Sequence, residues 1–323
     1  MESQCVRVNK KDGERTRLEL ITHGVLNKDL KIKPDGDHIL IPVKEVPEGY
    51  GNIGYDDFEE VIKEKTPSEL LGTSPAFELV GDIAIIDRYE SDLLRIADAL
   101  VKQKKVRTVL YADTPVSGEY RTRTLSYLAG DNKTETVYRE NRCRYLLDVS
   151  KVYFTPRLAT ERLRIAGQVK DGGTVVDMFA GIGPFSILIA KRGPNSHVIA
   201  IDKNSEAVRY LRENVKLNKL ENVEVREGDV REASKGVQDA DHVIMNLPHS
   251  GFEFLDIAFG MVKKGGLVHF YAISHENDLF GGIIERIKDA AIRCGSGIIP
   301  IGKRIVRPYA PYQYNICIDF RVT

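Results

Sequence analysis

The feature that most constrains this chain is the alternation of apolar strands and helices that begins after Asp171. Strands alternating with helices of about 10–15 residues are typical of a parallel sheet covered by helices on both faces. The pattern predicts strands over 174–178, 197–201, 223–227, 242–246 and 267–273, and helices over 184–191, 205–218, 252–262 and 279–294. Segments 302–306 and 314–322 predict two antiparallel strands at one edge. The predicted fold class is α/β.

A glycine-containing turn follows the first of these strands. Segment 175–186, VVDMFAGIGPFS, passes through Gly181 and Gly183 into a helix that Pro184 can open. Glycines suit a turn that faces a ligand, because a side chain would block close approach of the backbone. A simple tight turn is the alternative. Ser186 stands where a dinucleotide fingerprint has its third glycine, which disfavours a pyrophosphate cofactor.

Two acids follow the next two predicted strands. Asp202 ends the second strand, where a carboxylate can accept hydrogen bonds from both ribose hydroxyls. Asp229 follows the third strand, where an acid can hold an adenine amino group. Either acid alone could cap a helix or lie in an exposed turn. Together with the Gly-x-Gly turn they favour a nucleoside cofactor without phosphates, and S-adenosylmethionine fits that description.

The fourth strand ends in the sequence Asn246-Leu247-Pro248. Methyltransferases that act on planar nitrogen commonly have an Asn/Asp-x-Pro turn at this place. The amide can pair with the edge of a base, and the proline fixes the loop against the ring. The alternative interpretation is a simple turn at the end of a strand.

The first half of the chain has a different organisation. Residues 1–62 are predicted to form a small βαβ domain with strands over 5–8 and 38–43 and a helix over 11–23. Residues 47–75 predict a linker, and the domain boundary falls within it. Residues 63–150 predict a mixed α+β domain with strands over 79–86, 107–111, 126–129, 134–138 and 143–148 and a helix over 92–104. Residues 151–323 then form the α/β domain.

Charge and cysteine content narrow the function classes. The chain has 47 Lys or Arg and 47 Asp or Glu, which excludes a uniformly basic coat, but residues 101–164 hold fourteen basic and seven acidic side chains. That stretch can serve as a phosphate-binding face or be an ordinary solvated surface. The four cysteines show neither a metal-binding spacing nor a disulfide framework. Without a long apolar run, we expect a soluble, unprocessed, cytoplasmic protein with no metal and no membrane contact.

Six segments in one order resemble the archaeal/eukaryotic-type tRNA guanine-37 N1-methyltransferase family. They are 117–123 (SGEYRTR), 128–134 (LAGDNKT), 151–162 (KVYFTPRLATER), 177–185 (DMFAGIGPF), 245–248 (MNLP) and 303–311 (KRIVRPYAP). The resemblance implies a class I, Rossmann-like S-adenosylmethionine methyltransferase domain. The N-terminal unit also resembles that family's tRNA-elbow-binding domain, so we expect a monomer that contacts the anticodon stem-loop and the elbow of tRNA.

The resemblance also implies roles for individual residues. Guanine N1 carries a proton, and negative charge develops on O6 as that proton leaves, so Glu161 is the candidate base and Arg121 the candidate cation at O6. Asn246 would orient the ring. The remaining cofactor-pocket residues carried over from the family are Tyr153, Arg157, Asp177, Phe179 and Pro248. Taken singly, Arg157 could form an ion pair at a helix start, Tyr153 could be a core aromatic, and Glu161 could be an exposed acid in a first helical turn.

Two other functions compete with this one. An aminocarboxypropyl transferase of wybutosine synthesis has the same fold and cofactor, but it alkylates carbon and needs no N1 deprotonation. Glu161 and the Arg121 segment therefore favour methyl transfer. A tRNA-binding scaffold without activity would be expected to lose the acids or Asn246, and the chain retains them.

Overall fold

A computed structural model describes residues 1–45, 49–50, 53–61, 65–87 and 92–323. The chain forms two compact units, Met1–Glu69 and Leu70–Thr323. The predicted domain boundary between residues 62 and 63 lies outside the described residues, as does part of the predicted linker. None of the helices in the described residues is long and apolar enough to cross a membrane.

The first unit contains an antiparallel sheet. Its elements are β1 (Glu2–Asn9), α1 (Gly13–Thr22), β2 (Lys33–Asp35), β3 (His38–Val43) and β4 (Ile53–Asp57). The strand order is β2-β3-β1-β4, and Leu20 of α1 packs with Val6 and Ile41 in a small core. The predicted order of strand, helix and strand is confirmed. The interpretation as a βαβ unit is wrong, because β1 and β3 run antiparallel and two more strands complete the sheet.

The second unit begins with a mixed sheet and a hairpin. It follows α2 (Pro67–Leu71) and contains β5 (Glu78–Val80), β6 (Ile83–Ile86), α3 (Leu93–Val101), β7 (Thr108–Ala112), β8 (Leu125–Gly130), β9 (Glu135–Glu140) and β10 (Cys143–Asp148). The mixed sheet has the order β5-β6-β7-β8, and β9 pairs with β10. The single strand predicted over 79–86 is in fact two strands, because Gly81 has a φ of +61° and turns the chain into a β5–β6 hairpin.

The α/β part occupies the remainder of this unit. Its elements are α4 (Ala159–Ala166), β11 (Thr174–Asp177), α5 (Pro184–Arg192), β12 (His197–Asp202), α6 (Ser205–Leu217), β13 (Val223–Glu227), α7 (Val230–Ala233), β14 (Ala240–Met245), α8 (Leu255–Met261), β15 (Val262–His275), α9 (Gly281–Arg293), β16 (Ile298–Ala310) and β17 (Gln313–Val322). The sheet order is β13-β12-β11-β14-β15-β17-β16. The first five strands are parallel, and the last two are antiparallel to their neighbours. The predicted Rossmann-like class is confirmed.

Two apolar layers cover the faces of this sheet. One contains Phe185 and Leu188 of α5 with Tyr210 of α6, and the other contains residues of α8 and α9 with Phe270 and Phe320. Tyr145 and Leu147 of β10 belong to the first layer. The core is therefore continuous across the predicted boundary between residues 150 and 151, which stays a prediction.

Candidate active site

A cavity of about 210 Å³ opens at the carboxyl ends of the parallel strands, where ligands bind in open α/β sheets. The loops after β11, β12, β13 and β14 line it together with two segments from outside the sheet, around residues 119–121 and 153–162. Eight of the predicted site residues line this cavity: Arg121, Tyr153, Phe179, Gly181, Asp202, Asp229, Asn246 and Pro248.

The glycine turn after β11 forms the floor of the cavity. Gly181 and Gly183 both have positive φ, +56° and +88°, a region that side chains disfavour. A Cβ on Gly183 would lie 2.2 Å from Cδ1 of Leu211. Gly183 therefore shapes the turn and lets α6 approach; it is not among the residues that line the cavity, and its predicted contact with the cofactor stays a prediction.

Asp202 ties the glycine turn to the end of β12. Its carboxylate accepts hydrogen bonds from the Gly181 N–H at 2.6 Å and the Asn204 N–H at 2.9 Å. Burial raises the pKa of Asp202, and these backbone N–H groups oppose that rise by favouring the ionised form. The carboxylate faces the cavity already oriented, as an acceptor for ligand hydroxyl groups must be.

Asp177 lies beneath the turn and not in the cavity. The Ser186 hydroxyl donates to its Oδ2 at 2.7 Å, and its fully buried Oδ1 has no hydrogen-bond partner among the described residues. Burial raises its pKa to about 7, and the nearby charge of Asp202 adds to the rise. Asp177 thus joins β11 to the start of α5, and its predicted place in the cofactor pocket stays a prediction.

Asp229 combines a structural role with a place in the cavity. It caps α7, accepting a hydrogen bond from the Arg231 N–H at 3.0 Å, and Lys203 lies 4.0 Å from its carboxylate. The interpretation of Asp229 as a helix cap is thus correct, and Asp229 also lines the cavity. Phe179 lies on the same side and packs edge-on against Phe254, with ring centroids 5.2 Å apart.

The Asn246-Leu247-Pro248 turn lies at the other end of the cavity. The Pro248 carbonyl accepts a hydrogen bond from the Ile273 N–H at 3.2 Å, and the Leu247 carbonyl accepts one from Gly251 at 2.8 Å. These bonds join the turn to β15 and to the segment before α8. The Asn246 side chain is therefore carried by a loop that is fixed at both sides.

Arg121 reaches the same end from a loop outside the sheet. Its guanidinium lies over the Tyr153 ring, 4.5 Å from the centroid, and its buried Nε has no hydrogen-bond partner within the described part of the chain. Its φ of +53° is unusual for a residue with a side chain. Stacking on Tyr153 thus holds a cation with an unused donor at the cavity wall.

Glu161 does not face the cavity, contrary to its predicted position. Its side chain is 4% exposed, and its carboxylate accepts from Arg164 at 2.7 and 3.0 Å and from the Tyr271 hydroxyl at 2.8 Å. Arg304 lies 3.5 Å away. A buried carboxylate is stable when paired in this way, and this one is the centre of an ion-pair network that joins α4 to β15 and β16. Its neighbours Leu158 and Arg162 do line the cavity.

Arg157 also lies elsewhere. It lines a second, adjoining cavity and has its Nε 3.7 Å from Glu78, as the alternative of a helix-start ion pair anticipated. Its predicted contact with the cofactor stays a prediction. Arg123 pairs with the same carboxylate at 3.5 Å.

The basic stretch over 101–164 is partly neutralised inside the protein. Arg162 is 1% exposed and forms two hydrogen bonds with Glu140, at 2.5 and 2.6 Å. Arg164 is held between Glu161 and Asp319. These arginines cannot belong to an open phosphate-binding face, whereas Arg139 and Arg142 are exposed.

Three residues of the terminal hairpin were missed by reasoning from the sequence. The cavity that Asn246 lines is also lined by Arg307, Tyr309 and Asn315. Segment 303–311 contributed to the family resemblance, but no chemistry was attached to it. Asn315 carried no local signal, because only the pairing of β16 with β17 brings it to the cavity.

These features define a class of protein. The parallel sheet ends in two antiparallel strands at one edge, and two acids follow successive parallel strands. Ser186 stands where a dinucleotide-binding turn has its third glycine. These features fit a nucleoside cofactor such as S-adenosylmethionine. The site is that of a Rossmann-like methyltransferase.

Comparison with known proteins identifies the family. Residues 136–299 match the TRM5/TYW2 methyltransferase domain, residues 5–51 the tRNA methyltransferase 5 N-terminal domain, and residues 58–134 the TYW2 N-terminal domain. The tRNA (guanine(37)-N(1))-methyltransferase Trm5b of Pyrococcus abyssi is 43% identical, with 99% of each chain covered. The chain belongs to the TRM5/TYW2 methyltransferase family.

Two other comparisons bear on function. The crystal structure of the P. abyssi Trm5b superposes with a TM-score of 0.71, and that of a complex of aTrm5 and tRNALeu with 0.70 at 33% identity, each with 99% of both chains covered. The tRNA(Phe) (4-demethylwyosine(37)-C(7)) aminocarboxypropyltransferase of Methanocaldococcus jannaschii is 37% identical and matches 75% of this chain and 96% of its own length.

Proposed function

We propose that this protein transfers the methyl group of S-adenosylmethionine to N1 of the guanosine at position 37 of tRNA. One observation carries the proposal: the similarity to guanine-37 N1-methyltransferases extends over 99% of the chain, including the N-terminal unit. The aminocarboxypropyltransferase relative leaves about a quarter of the chain unmatched. The cavity adds a chemical reason, because a cation, Arg121, and an amide, Asn246, both line it.

The chain's own residues divide the work between two ends of the cavity. Asp202 and Asp229 hold the nucleoside part of the cofactor, which supplies the methyl group when bound. At the other end a guanine must be extruded from its stack, because its N1 is not accessible within a stacked anticodon loop. Asn246 pairs with its edge, and Pro248 and Tyr153 pack against the ring.

Arg121 stabilises the charge that develops during the reaction. As N1 loses its proton, negative charge spreads to O6; a bound cofactor would supply the methyl group to N1 and leave as the neutral thioether S-adenosylhomocysteine. The Nε of Arg121 is buried and unpartnered among the described residues, and Arg121 lines the cavity, so this donor is available to that oxygen. Such preorganised donors contribute most where charge appears only in the transition state.

Glu161 is the carboxylate that we propose takes the N1 proton. It lies in the first turn of α4, between Leu158 and Arg162, and both of these line the cavity. In the structure its carboxylate is bonded to Arg164 and Tyr271, so the role requires that it exchange a partner when tRNA binds. Arg164 keeps Asp319 as a second partner and therefore remains paired after such an exchange.

The finer contacts follow from the same proposal. The first unit, Met1–Glu69, would bind the elbow of tRNA, and the second unit would bind the anticodon stem-loop. We propose that a monomer acts in the cytoplasm, where it meets tRNA.

Product analysis tests the proposed reaction. Purified protein is incubated with a tRNA transcript and labelled cofactor, and the nucleosides released by digestion are separated and analysed by mass spectrometry. We expect 1-methylguanosine from the transcript with guanosine at position 37 and no product from one with adenosine there. A mass increase that corresponds to the aminocarboxypropyl group, or equal methylation of the adenosine transcript, would contradict the proposal.

A further inference from the structure

The terminal hairpin brings unpaired polar atoms into the cavity. Asn315 is 3% exposed, and its buried Oδ1 accepts no hydrogen bond from any residue that the structure describes. The buried Nε of Arg307, its partner across the β16–β17 ladder, is also unpaired. Both residues line the cavity. Buried polar atoms without a partner destabilise the fold, so two of them on residues that line one cavity point to a ligand that supplies the partners.

The sheet order shows which ligand Asn315 faces. Asn315 pairs with Ile273 of β15, and β15 pairs with β14, the strand that carries Asn246. Neighbouring strands lie about 4.8 Å apart, so β17 lies about 10 Å from β14 but about 19 Å from β12, where Asp202 holds the cofactor. Asn315 therefore belongs to the end of the cavity where the base binds.

The chemistry of the unpaired atoms matches one edge of guanine. That edge presents an acceptor, O6, and a donor, the exocyclic 2-amino group, on either side of N1. Arg121 and Arg307 offer unpaired donors, and Asn315 offers an unpaired acceptor. Adenine carries a donor in place of O6 and lacks the 2-amino group, and hypoxanthine also lacks that amino group.

We propose that Asn315 is a specificity-determining residue that accepts a hydrogen bond from the guanine 2-amino group. This inference rests on the proposed function and adds to it how guanine is distinguished from bases without that group. A substrate that lacks the amino group leaves the Asn315 Oδ1 buried and unsatisfied, and an unsatisfied buried group lowers binding in the transition state by about 10-fold or more.

Two transcripts and three proteins test the assignment. The steady-state kcat/KM is measured for tRNA with guanosine or inosine at position 37, using wild type, Asn315→Ala and Asn315→Asp. We expect wild type to prefer guanosine by about 10-fold or more, and Asn315→Ala to lose that preference because only the guanosine reaction slows. Asn315→Asp keeps an acceptor of the same shape and should retain the preference.

The other outcomes overturn the inference. Equal slowing of both transcripts by Asn315→Ala would show a structural role, and an unchanged preference, or no preference in wild type, would remove Asn315 from recognition of the amino group. Calorimetric binding of S-adenosylmethionine reports whether each variant is folded, and Asn315→Ser replaces Asn315→Ala if the latter does not fold. Wild type that yields no 1-methylguanosine from the guanosine transcript would instead contradict the proposed function itself.

Discussion

Replacement of Glu161 by Gln separates the two roles that the structure gives this residue. Gln has nearly the same shape as Glu and keeps one acceptor oxygen, but it has no charge and cannot take a proton. In the structure the Glu161 carboxylate makes two hydrogen bonds with Arg164 and one with Tyr271. The substitution therefore weakens a buried ion-pair network and removes the proposed base in one step.

The stability cost follows from these contacts. Loss of a buried ion-pair partner costs about 3–5 kcal/mol when the remaining charge is left alone. Here Arg164 still pairs with Asp319, and Gln can still accept from Tyr271, so the loss should approach that of one charge-assisted hydrogen bond, about 1.5–3 kcal/mol. For a unit of this size we expect the melting temperature to fall by about 3–12 °C.

The chemical step should respond separately. A positioned base contributes about 10²–10⁴-fold, so single-turnover methylation at saturating tRNA and cofactor should slow by that factor in Glu161→Gln. The affinities for cofactor and tRNA should change little.

Tyr271→Phe is the matched control. This substitution removes the Tyr271 hydroxyl, another hydrogen-bond partner of the Glu161 carboxylate, and leaves that carboxylate in place. Tyr271 is buried, as Glu161 is. We expect a lowered melting temperature with methylation within a few-fold of wild type. If Glu161→Gln behaves like this control, with a lower melting temperature and a near-normal rate, Glu161 is only a structural ion-pair partner and the base assignment is refuted.

Three further predictions concern the cofactor, the first unit and acid stability. Asp202→Ala should weaken S-adenosylmethionine binding by about 10- to 100-fold in calorimetry, because ribose hydroxyls lose their acceptor; unchanged affinity would remove Asp202 from the site. Deletion of Met1–Glu69 should leave that affinity within about 2-fold and mainly raise the KM for tRNA, since the second unit has its own core. Burial lowers the pKa of His242 to about 4, so the unfolded chain binds a proton that the folded chain rejects, and stability should fall by up to about 3 kcal/mol as pH drops from 6.5 to 4. His242→Gln should show a shallower fall in chemical denaturation, and an identical slope would contradict the assignment.

Elements with strong local patterns were predicted well from the sequence. The strands at His38–Val43, Cys143–Asp148 and Val223–Glu227 have the predicted bounds, because apolar residues mark each one and turn residues flank it. Strands at Lys33–Asp35 and Ile53–Asp57 were missed. They are short and largely polar, and pairing with β3 and β1 rather than an internal pattern makes them strands.

The site shows the same contrast between local and long-range information. Gly181, Asp202 and Asp229 line one cavity because each lies just after a strand, so the position of the strand end fixes the position of the residue; their contact with the cofactor stays a prediction. The buried position of Glu161 could not be predicted because sequence gives the face of a helix only approximately, and its partners Tyr271 and Arg304 lie more than a hundred residues away. Asn315 could not be found, since its distance from Asn246 depends on the pairing of three strands.

This contrast has a physical consequence for how such a site can change its substrate. The end of the cavity that we propose for the cofactor is formed by the glycine turn and by Asp202 and Asp229 at the ends of parallel strands, so a change there would disturb the fold and the proposed cofactor site together. The acceptor end is assembled from side chains on separate segments, among them Arg121 from an outer loop, Asn246 from a strand end and Asn315 from the terminal hairpin. Substitution of one of these side chains alters the shape and hydrogen-bonding pattern presented to the base, while the glycine turn and Asp202 stay in place. A family with one cofactor and several reactions at a tRNA base is therefore expected to keep the first set of residues and to vary the second.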